Sequence, residues 1–473
     1  MNIVLALSEN KYEYEIKSLL SAFFISAQFY KENINNADLC IYIRYQAGRA
    51  ILNFKNQNNE IRSEIRLLNQ RHVDILSIEQ KVYVIIGKIY KKTLPWGILT
   101  GVRPVKIALK MKENNAEDQE IIDYYTNVRY VNNKKASLCV RIAEKEWECM
   151  SDLQDNDRAL YINIPICPSK CHYCSFVSKA TKDMDFIERY VGALVKEIRI
   201  LSNYFILNNI RIKTIYIGGG TPSILSSSQI YNLLKEIKDN VNLEHCREFT
   251  FEAGRADCIN DEKLHAIRSG GADRICINAQ SMHNTTLNAI GRYISVEDFY
   301  KAYEISTKYN FIKNVDLIYG LSGENDSMFL SSLNKVIELN PENITLHCLS
   351  YKRNSELFDE KNSHFTGTFG FESAYGLLEK NKYIPYYLYR QKYTVNNAEN
   401  TGFCRPGFEG IYNRLIISER IGIVGLGAGA SGKLYNRKND HIKRVTGYKN
   451  IELYIDNIDD VVSKKMHMYD MEI

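Results

Sequence analysis

Three cysteines in the run CPSKCHYC are the residues of this sequence best suited to do chemistry. Their spacing, C-x3-C-x2-C over Cys167, Cys171 and Cys174, puts three thiolates on one short loop. Three thiolates hold three irons of a [4Fe–4S] cubane and leave the fourth iron without a protein ligand. The amino and carboxylate groups of S-adenosylmethionine (SAM) can chelate that iron. An electron from the cluster then cleaves the sulfonium and yields a 5′-deoxyadenosyl radical. A structural zinc site takes four ligands. His172 could serve, but it lies inside the loop between two of the cysteines, where the geometry is poor.

Two further groups fit that reading. IYIGGGTPS follows an apolar run and brings three glycines before Thr221. Glycines there allow close backbone approach, and Thr221 with the following amides can hold a carboxylate or an amine. Alone, the motif is a tight strand-to-helix turn. Glu252, Gln280 and Asp316 each interrupt an otherwise apolar strand, and Arg292 follows nearby. Ribose hydroxyls and a charged methionine moiety need such acceptors and donors, although a polar residue at a strand end often only caps the next helix.

The elements that must position these residues begin at residue 158. Candidate strands are 159–166, 214–220, 248–254, 273–281, 314–320 and 343–350, with amphipathic helical runs between them. Six short apolar strands alternating with helices predict a parallel sheet with right-handed crossovers. Cys167, Thr221, Glu252, Gln280 and Asp316 all fall at or near C-terminal strand ends, as in a barrel-type site. The fold class expected is therefore α/β, a partial (β/α)6 barrel. It is joined to an N-terminal α+β domain (1–96), a helical connector (97–157) and a small C-terminal domain (353–473), with the barrel at 158–352. KVYVIIGKIYK reads as strand or helix.

Composition sets the frame. Hydrophobic content of 45% and charged content of 25% are ordinary for a folded chain of 473 residues. No apolar run is long enough to span a bilayer and no signal peptide is visible, so a cytoplasmic, reducing location is expected. Eleven cysteines are then free thiols or metal ligands rather than disulfides, and the eight scattered ones read as small buried hydrophobes. The net charge is +5, and all of that surplus falls in residues 1–150. Lys81, Lys88, Lys91, Lys92, Arg103, Lys106 and Lys110 lie in a stretch without Asp or Glu. That suits an anionic partner, or simply a solvated basic face.

Taken together, YINIPICPSKCHYCSF, GGGTPS, EAG, RICINAQSMHNTTLNAIGR and NVDLIYGLSGE resemble the oxygen-independent coproporphyrinogen III oxidase superfamily of radical SAM enzymes. The likeness is dense over 158–352. It continues more weakly through YRQKYTVNNAENTGFCRPG and IGIVGLGAGASG, and LTGVRPVKIALK is similar to the HemZ-type branch. The resemblance implies a [4Fe–4S] cluster on Cys167, Cys171 and Cys174, with SAM as cofactor. It implies SAM contacts from Tyr161, Tyr173, Gly219, Gly220, Thr221, Glu252, Gln280, Arg292, Asp316 and Ile318. Tyr173 would pack on adenine and Arg292 would pair with the methionine carboxylate. It also implies a tetrapyrrole substrate, with propionates of coproporphyrinogen III decarboxylated to vinyl groups, and an electron donor such as flavodoxin or ferredoxin.

The chain departs from the best-known enzyme of that family at Phe176, where a fourth cysteine stands. C-x-F is shared with haem-trafficking and HemZ-type relatives, so a haem-binding or haem-delivery protein is the rival reading. A radical SAM enzyme acting on haem or RNA is a third, and a nucleic-acid partner is not expected. IVGLGAGA satisfies G-x-G-x-x-A (Gly425, Gly427, Ala430), a dinucleotide fingerprint. The polar SGKLYNRKNDHIKRV after it reads as turns rather than a helix, so the motif is taken as a tight turn against the barrel. His347, on the sixth strand, faces either the site or the outer layer of the sheet, and a satisfied core histidine is the preferred reading. YIPYYLYRQKY packs the C-terminal domain, or walls a flat macrocycle.

Overall fold

The computed structural model describes residues 1–25, 27–352, 355–356, 365, 367 and 370–470. The expected start of a C-terminal domain at residue 353 lies outside them. The chain divides into two compact units, Met1–Ala143 with Arg390–Ala398, and Glu144–Tyr389 with Glu399–Ile473.

The first unit holds a five-stranded sheet of β1 (Asn2–Leu7), β2 (Gln28–Tyr30), β3 (Leu39–Gln46), β4 (Arg49–Lys55) and β5 (Glu60–Arg66), in the order β2-β1-β3-β4-β5. Alternation decides which face is buried: Leu39, Ile41 and Ile43 of β3 and Ala50, Leu52 and Phe54 of β4 point inward. They pack with Ile16, Leu19 and Leu20 of helix Glu13–Phe23 and with Ile78, Val82, Ile85 and Ile86 of helix Arg71–Tyr90. KVYVIIGKIYK is thus helical, and its apolar residues recur at helical spacing. Of the basic stretch, the Lys92 ammonium donates to the Phe23 carbonyl at 2.6 Å, satisfying a helix end.

The second unit carries an eleven-stranded sheet. Its centre is six parallel strands in sequential order: β6 (Asp157–Ile164), β9 (Arg211–Gly219), β10 (Glu248–Gly254), β11 (Arg274–Ile277), β12 (Ile312–Tyr319) and β13 (Asn343–Cys348). Between β6 and β9 lie two short paired strands, β7 (Ile166–Cys167) and β8 (Lys179–Ala180). The six-stranded β/α series is the one expected from the pattern. Its strands are near-continuous apolar runs because both faces are covered, with Ile215, Ile217 and Phe251 fully buried. Burying each such side chain is worth about 1.5–3 kcal/mol. Ser226 with Gln229, and Ser295 with Asp298, form capping boxes that start helices Ser227–Asn240 and Val296–Thr307.

Later residues extend the same sheet on both sides. β15 (Asn400–Cys404) runs antiparallel to β13, with β14 (Ile384–Tyr389) beyond it. β16 (Gly422–Leu426) runs parallel to β6, followed by the hairpin β17 (Ser431–Asn436) and β18 (His441–Thr446). The polar segment after IVGLGAGA is that hairpin, and no helix opens there, so the glycine motif is a turn. YIPYYLY is β14, with Tyr386 and Tyr387 buried. All eleven cysteines are free. Among the described residues no helix is long and apolar enough to cross a membrane.

Candidate cofactor site

The cysteine loop leaves the C-terminal end of β6 and is closed at its base by backbone. Ile166 and Cys167 pair with Lys179 and Ala180, and Thr181 N donates to Cys167 O at 3.0 Å. Within the loop Cys174 N donates to Cys171 O at 3.0 Å, and His172 N to Ile290 O at 3.0 Å. His172 is thereby turned toward the segment before Gly291, whose added Cβ would meet its Nε2 at 2.7 Å. Cys167 and Cys171 are nearly buried, and Phe176 two residues past Cys174 is 70% exposed. Burial pushes the Cys174 thiol up, and Cys167 and Cys171 add to the effect. Among the described residues no three His, Cys, Asp or Glu side chains close on a single ion. A cubane asks for a different arrangement, since each thiolate binds a separate iron.

The glycine turn is built against this loop. Gly220 N donates to Ile164 O (2.9 Å) and Thr221 N to Ile166 O (2.8 Å). A Cβ on Gly220 would sit 2.6 Å from Ile166 O and 2.9 Å from Cys167 Sγ, and one on Gly219, at φ +116°, 2.0 Å from Asn163 Oδ1. Only glycine allows the turn to touch the loop this closely. Tyr161 donates its hydroxyl to Asn163 Oδ1 at 3.1 Å. Asn163 in turn donates to Ala428 O at 2.5 Å, in the glycine-rich turn after β16.

The remaining expected residues converge on the same strand ends. Gln280 has left-handed backbone at φ +64°, an uncommon state for a residue with a side chain. Its N donates to Asp316 O (2.8 Å) and its O accepts from Ile318 N (2.9 Å), which bridges it onto β12. Gln280 Oε1 is buried without a partner, and so are Asn278 Oδ1 and Arg292 Nε. Arg292 donates through Nη2 to Asn278 O (2.6 Å) and Gly254 O (3.4 Å), so part of its fork is held by backbone. Tyr173 lies in the same buried region as Cys171 and Arg292. Burial first, then Cys171, raises its phenol, and Arg292 opposes them.

Three charges at this end are tuned against one another. Glu252 is pushed up to about 7, mainly by burial and then by Asp316, while the Tyr216 hydroxyl that donates to it pulls the other way. Burial opposes the Asp316 charge too. His347, with hydrogen bonds from His347, Asn314 and Thr345, outweighs it and holds the carboxyl below its usual range. His347 Nε2 lies 3.4 Å from Asp316 Oδ2. His347 and Tyr216 were not among the expected site residues. They sit on apolar strands, and only their pairing across strands gives them away.

The arrangement fits the cofactors. Three thiols share one loop, a glycine cradle excludes any side chain beside Cys167, and buried donors and acceptors stand unpaired at neighbouring strand ends. This is a donor set for a cubane with an amino-acid and ribose ligand beside it.

Comparison with known proteins agrees. Residues 161–336 match the model of the radical SAM superfamily. The chain is 33% identical over 386 residues to the oxygen-independent coproporphyrinogen-III oxidase-like protein HemZ of Bacillus subtilis (strain 168), covering 79% of this chain and 77% of the relative. It is 31% identical over 275 residues to the heme chaperone HemW of Lactococcus lactis, covering 58% of this chain and 69% of that one. In fold it is similar to coproporphyrinogen III oxidase (HemN) from Escherichia coli, with a TM-score of 0.52 at 19% identity over 67% of this chain and 72% of that one. The likeness to HemZ, over most of both chains, places this protein in the radical SAM superfamily, whose cofactors are a [4Fe–4S] cluster and SAM, and within it in the family of oxygen-independent coproporphyrinogen-III oxidase-like proteins.

Proposed function

We propose that this protein oxidatively decarboxylates propionate side chains of coproporphyrinogen III to vinyl groups. The observation that carries the chemistry is the contact of the glycine turn with Cys167 at the end of β6, with Glu252, Gln280, Arg292 and Asp316 gathered on the following strand ends. The tetrapyrrole comes from the name of the HemZ relative.

Cys167, Cys171 and Cys174 hold the cluster. Gly219, Gly220 and Thr221 receive the amino-acid end of SAM, and Arg292 offers Nε to its carboxylate. Tyr173 packs on the adenine, Ile318 and Tyr161 add further contacts to SAM, and Asp316, Gln280 and Glu252 accept from or donate to its polar groups. When bound, cluster and SAM supply the oxidant that removes a hydrogen atom from the propionate β-carbon. The substrate then loses carbon dioxide, and one electron passes to an external acceptor, leaving the vinyl group. The protein's part is to hold these groups in register behind buried walls.

A second reading, haem binding or delivery without oxidase activity, is favoured by the likeness to the heme chaperone HemW and by Phe176 at the position of the fourth cysteine. One anaerobic experiment decides. The reconstituted protein is given SAM, dithionite, a one-electron acceptor and coproporphyrinogen III, and product mass is followed. Stepwise loss of two carboxyl groups is expected. Tight stoichiometric haem binding with no decarboxylation would overturn the oxidase reading in favour of the second. Cys171→Ala should lose both the cluster absorbance and SAM cleavage.

A further inference from the structure

Arg255 follows the last residue of β10 and is 5% exposed. Its Nε and Nη2 each donate to Asp257 at 2.9 Å, a two-pronged pairing that fixes the plane of the guanidinium. The remaining nitrogen, Nη1, donates to Ser169 Oγ at 2.8 Å. Ser169 stands between Cys167 and Cys171, so this contact ties β10 to the cysteine loop across 86 residues of sequence.

A guanidinium that only paired with a carboxylate two residues on would gain little, and would not need to leave water. This one is buried, and its third contact reaches the loop. Asp257 is more open to solvent than Arg255, with side chains 35% and 6% exposed, so water screens the carboxylate more than it screens the cation. Burial works against the Arg255 charge. Asp257 and, more weakly, the thiols of Cys171 and Cys258 hold it in place. The cation therefore stands beside the cysteine loop, against Ser169 and close to Cys171. A cluster held by three thiolates gains one negative charge when it is reduced, and a buried cation beside it favours that state.

We propose that Arg255 is a positioning residue for the cluster: through Ser169 it fixes the Cys167–Cys171 loop, and its buried charge stabilises the reduced cluster over the oxidised one. This rests on the reading of Cys167, Cys171 and Cys174 as the cluster ligands. The two effects separate by substitution. Arg255→Met removes both, Arg255→Lys keeps the charge and loses the two-pronged geometry, and Ser169→Ala removes the loop contact alone.

The full-length chain and its variants are reconstituted anaerobically. The cluster potential is read by electron paramagnetic resonance during titration with dithionite, and iron release to a ferrous chelator is timed. Arg255→Met should shift the midpoint to a more negative potential and speed iron release by about tenfold or more, as loss of a charge-assisted hydrogen bond implies. Arg255→Lys and Ser169→Ala should keep the potential near that of the unaltered protein and still release iron faster. Unchanged potential and release in Arg255→Met would overturn the proposal. If Arg255→Met fails to fold, unchanged iron release in both other variants would overturn it. An unaltered protein that takes up no cluster would instead overturn the ligand assignment, and this inference with it.

Discussion

His347 Nε2 stands 3.4 Å from Asp316 Oδ2, joining β13 to β12 at the strand ends where the cysteine loop also lies. Asn314 donates to the other Asp316 oxygen at 2.7 Å, so the carboxylate is held from two sides. An acid that stays ionised in a buried place, next to Glu252 which does not readily do so, is a division of labour set by neighbours alone.

Removing the imidazole should therefore cost about 2 kcal/mol, because Asp316 is left partly buried and short of a partner. His347→Gln is expected to lower the midpoint of chemical denaturation and weaken SAM binding in the reconstituted protein. The pH dependence has a definite sign. The His347 value is raised, so its contribution is full below the ordinary 6.5 and is lost as pH rises through the higher folded value. The Asp316 value is depressed, so its contribution is full above 3.8 and is lost as pH falls through the lower folded value. In His347→Gln the alkaline loss should shrink to the part that Glu252 and Glu79 contribute. Persistence of the same alkaline limb would show that another group produces it.

Glu252 makes a second pH prediction, for the apo-protein. With a value near 7 against an ordinary 4.5, the buried carboxyl is tolerated when neutral and penalised as pH rises through 7. Glu252→Gln mimics the neutral acid, so its thermal midpoint should fall less than that of the unaltered protein between about pH 4.5 and pH 7. Glu79, buried in the N-terminal unit and also pushed up to about 7 by burial, will leave a residual slope. Identical slopes with and without Glu252 would mean that its charge is solvated.

Gly220→Ala tests the cradle directly. Its methyl would meet the Ile166 carbonyl oxygen at 2.6 Å and Cys167 Sγ at 2.9 Å, and backbone cannot yield as a flexible side chain can. Iron bound per chain after reconstitution should fall severalfold, while far-ultraviolet circular dichroism keeps its shape. A full complement of iron would place the cluster elsewhere.

Glu197 is fully buried and accepts from Gly427 N and the Tyr454 hydroxyl at 2.7 Å each, and from Lys465, which also donates to Gly425 O at 2.7 Å. Lys465→Met leaves this carboxylate buried and uncompensated and should cost about 3–5 kcal/mol in equilibrium unfolding. Glu197→Gln combined with Lys465→Met should recover part of that loss, whereas simple additivity of the two would argue against a coupled pair.

Much of this was legible beforehand because the cues were local. Buried parallel strands are uninterrupted apolar runs, so the six strands stood out, and the polar residues that broke those runs marked the mouth of the barrel. The cysteines declared themselves by spacing. KVYVIIGKIYK was ambiguous because a short apolar run satisfies strand and helix alike, until Ile78, Val82, Ile85 and Ile86 meet the sheet on one helical face. Arg255, His347 and Tyr216 stayed hidden because each takes its meaning from a partner on another strand or loop. SGKLYNRKNDHIKRV looked too polar for regular structure, yet it is an edge hairpin, where a strand's outer face meets water.

The link from Gly219 through Asn163 to Ala428 also bears on the order of events during synthesis. Asn163 shapes the cradle from below, and its side chain is held by Tyr161 on one side and on the other by a turn 265 residues later, which Glu197 and Lys465 then lock. A nascent chain that has emerged only through β13 already carries every expected cofactor residue and still lacks the brace that sets them. The shape of the cradle therefore depends on a turn that the last helix braces, far along the chain from the residues it shapes.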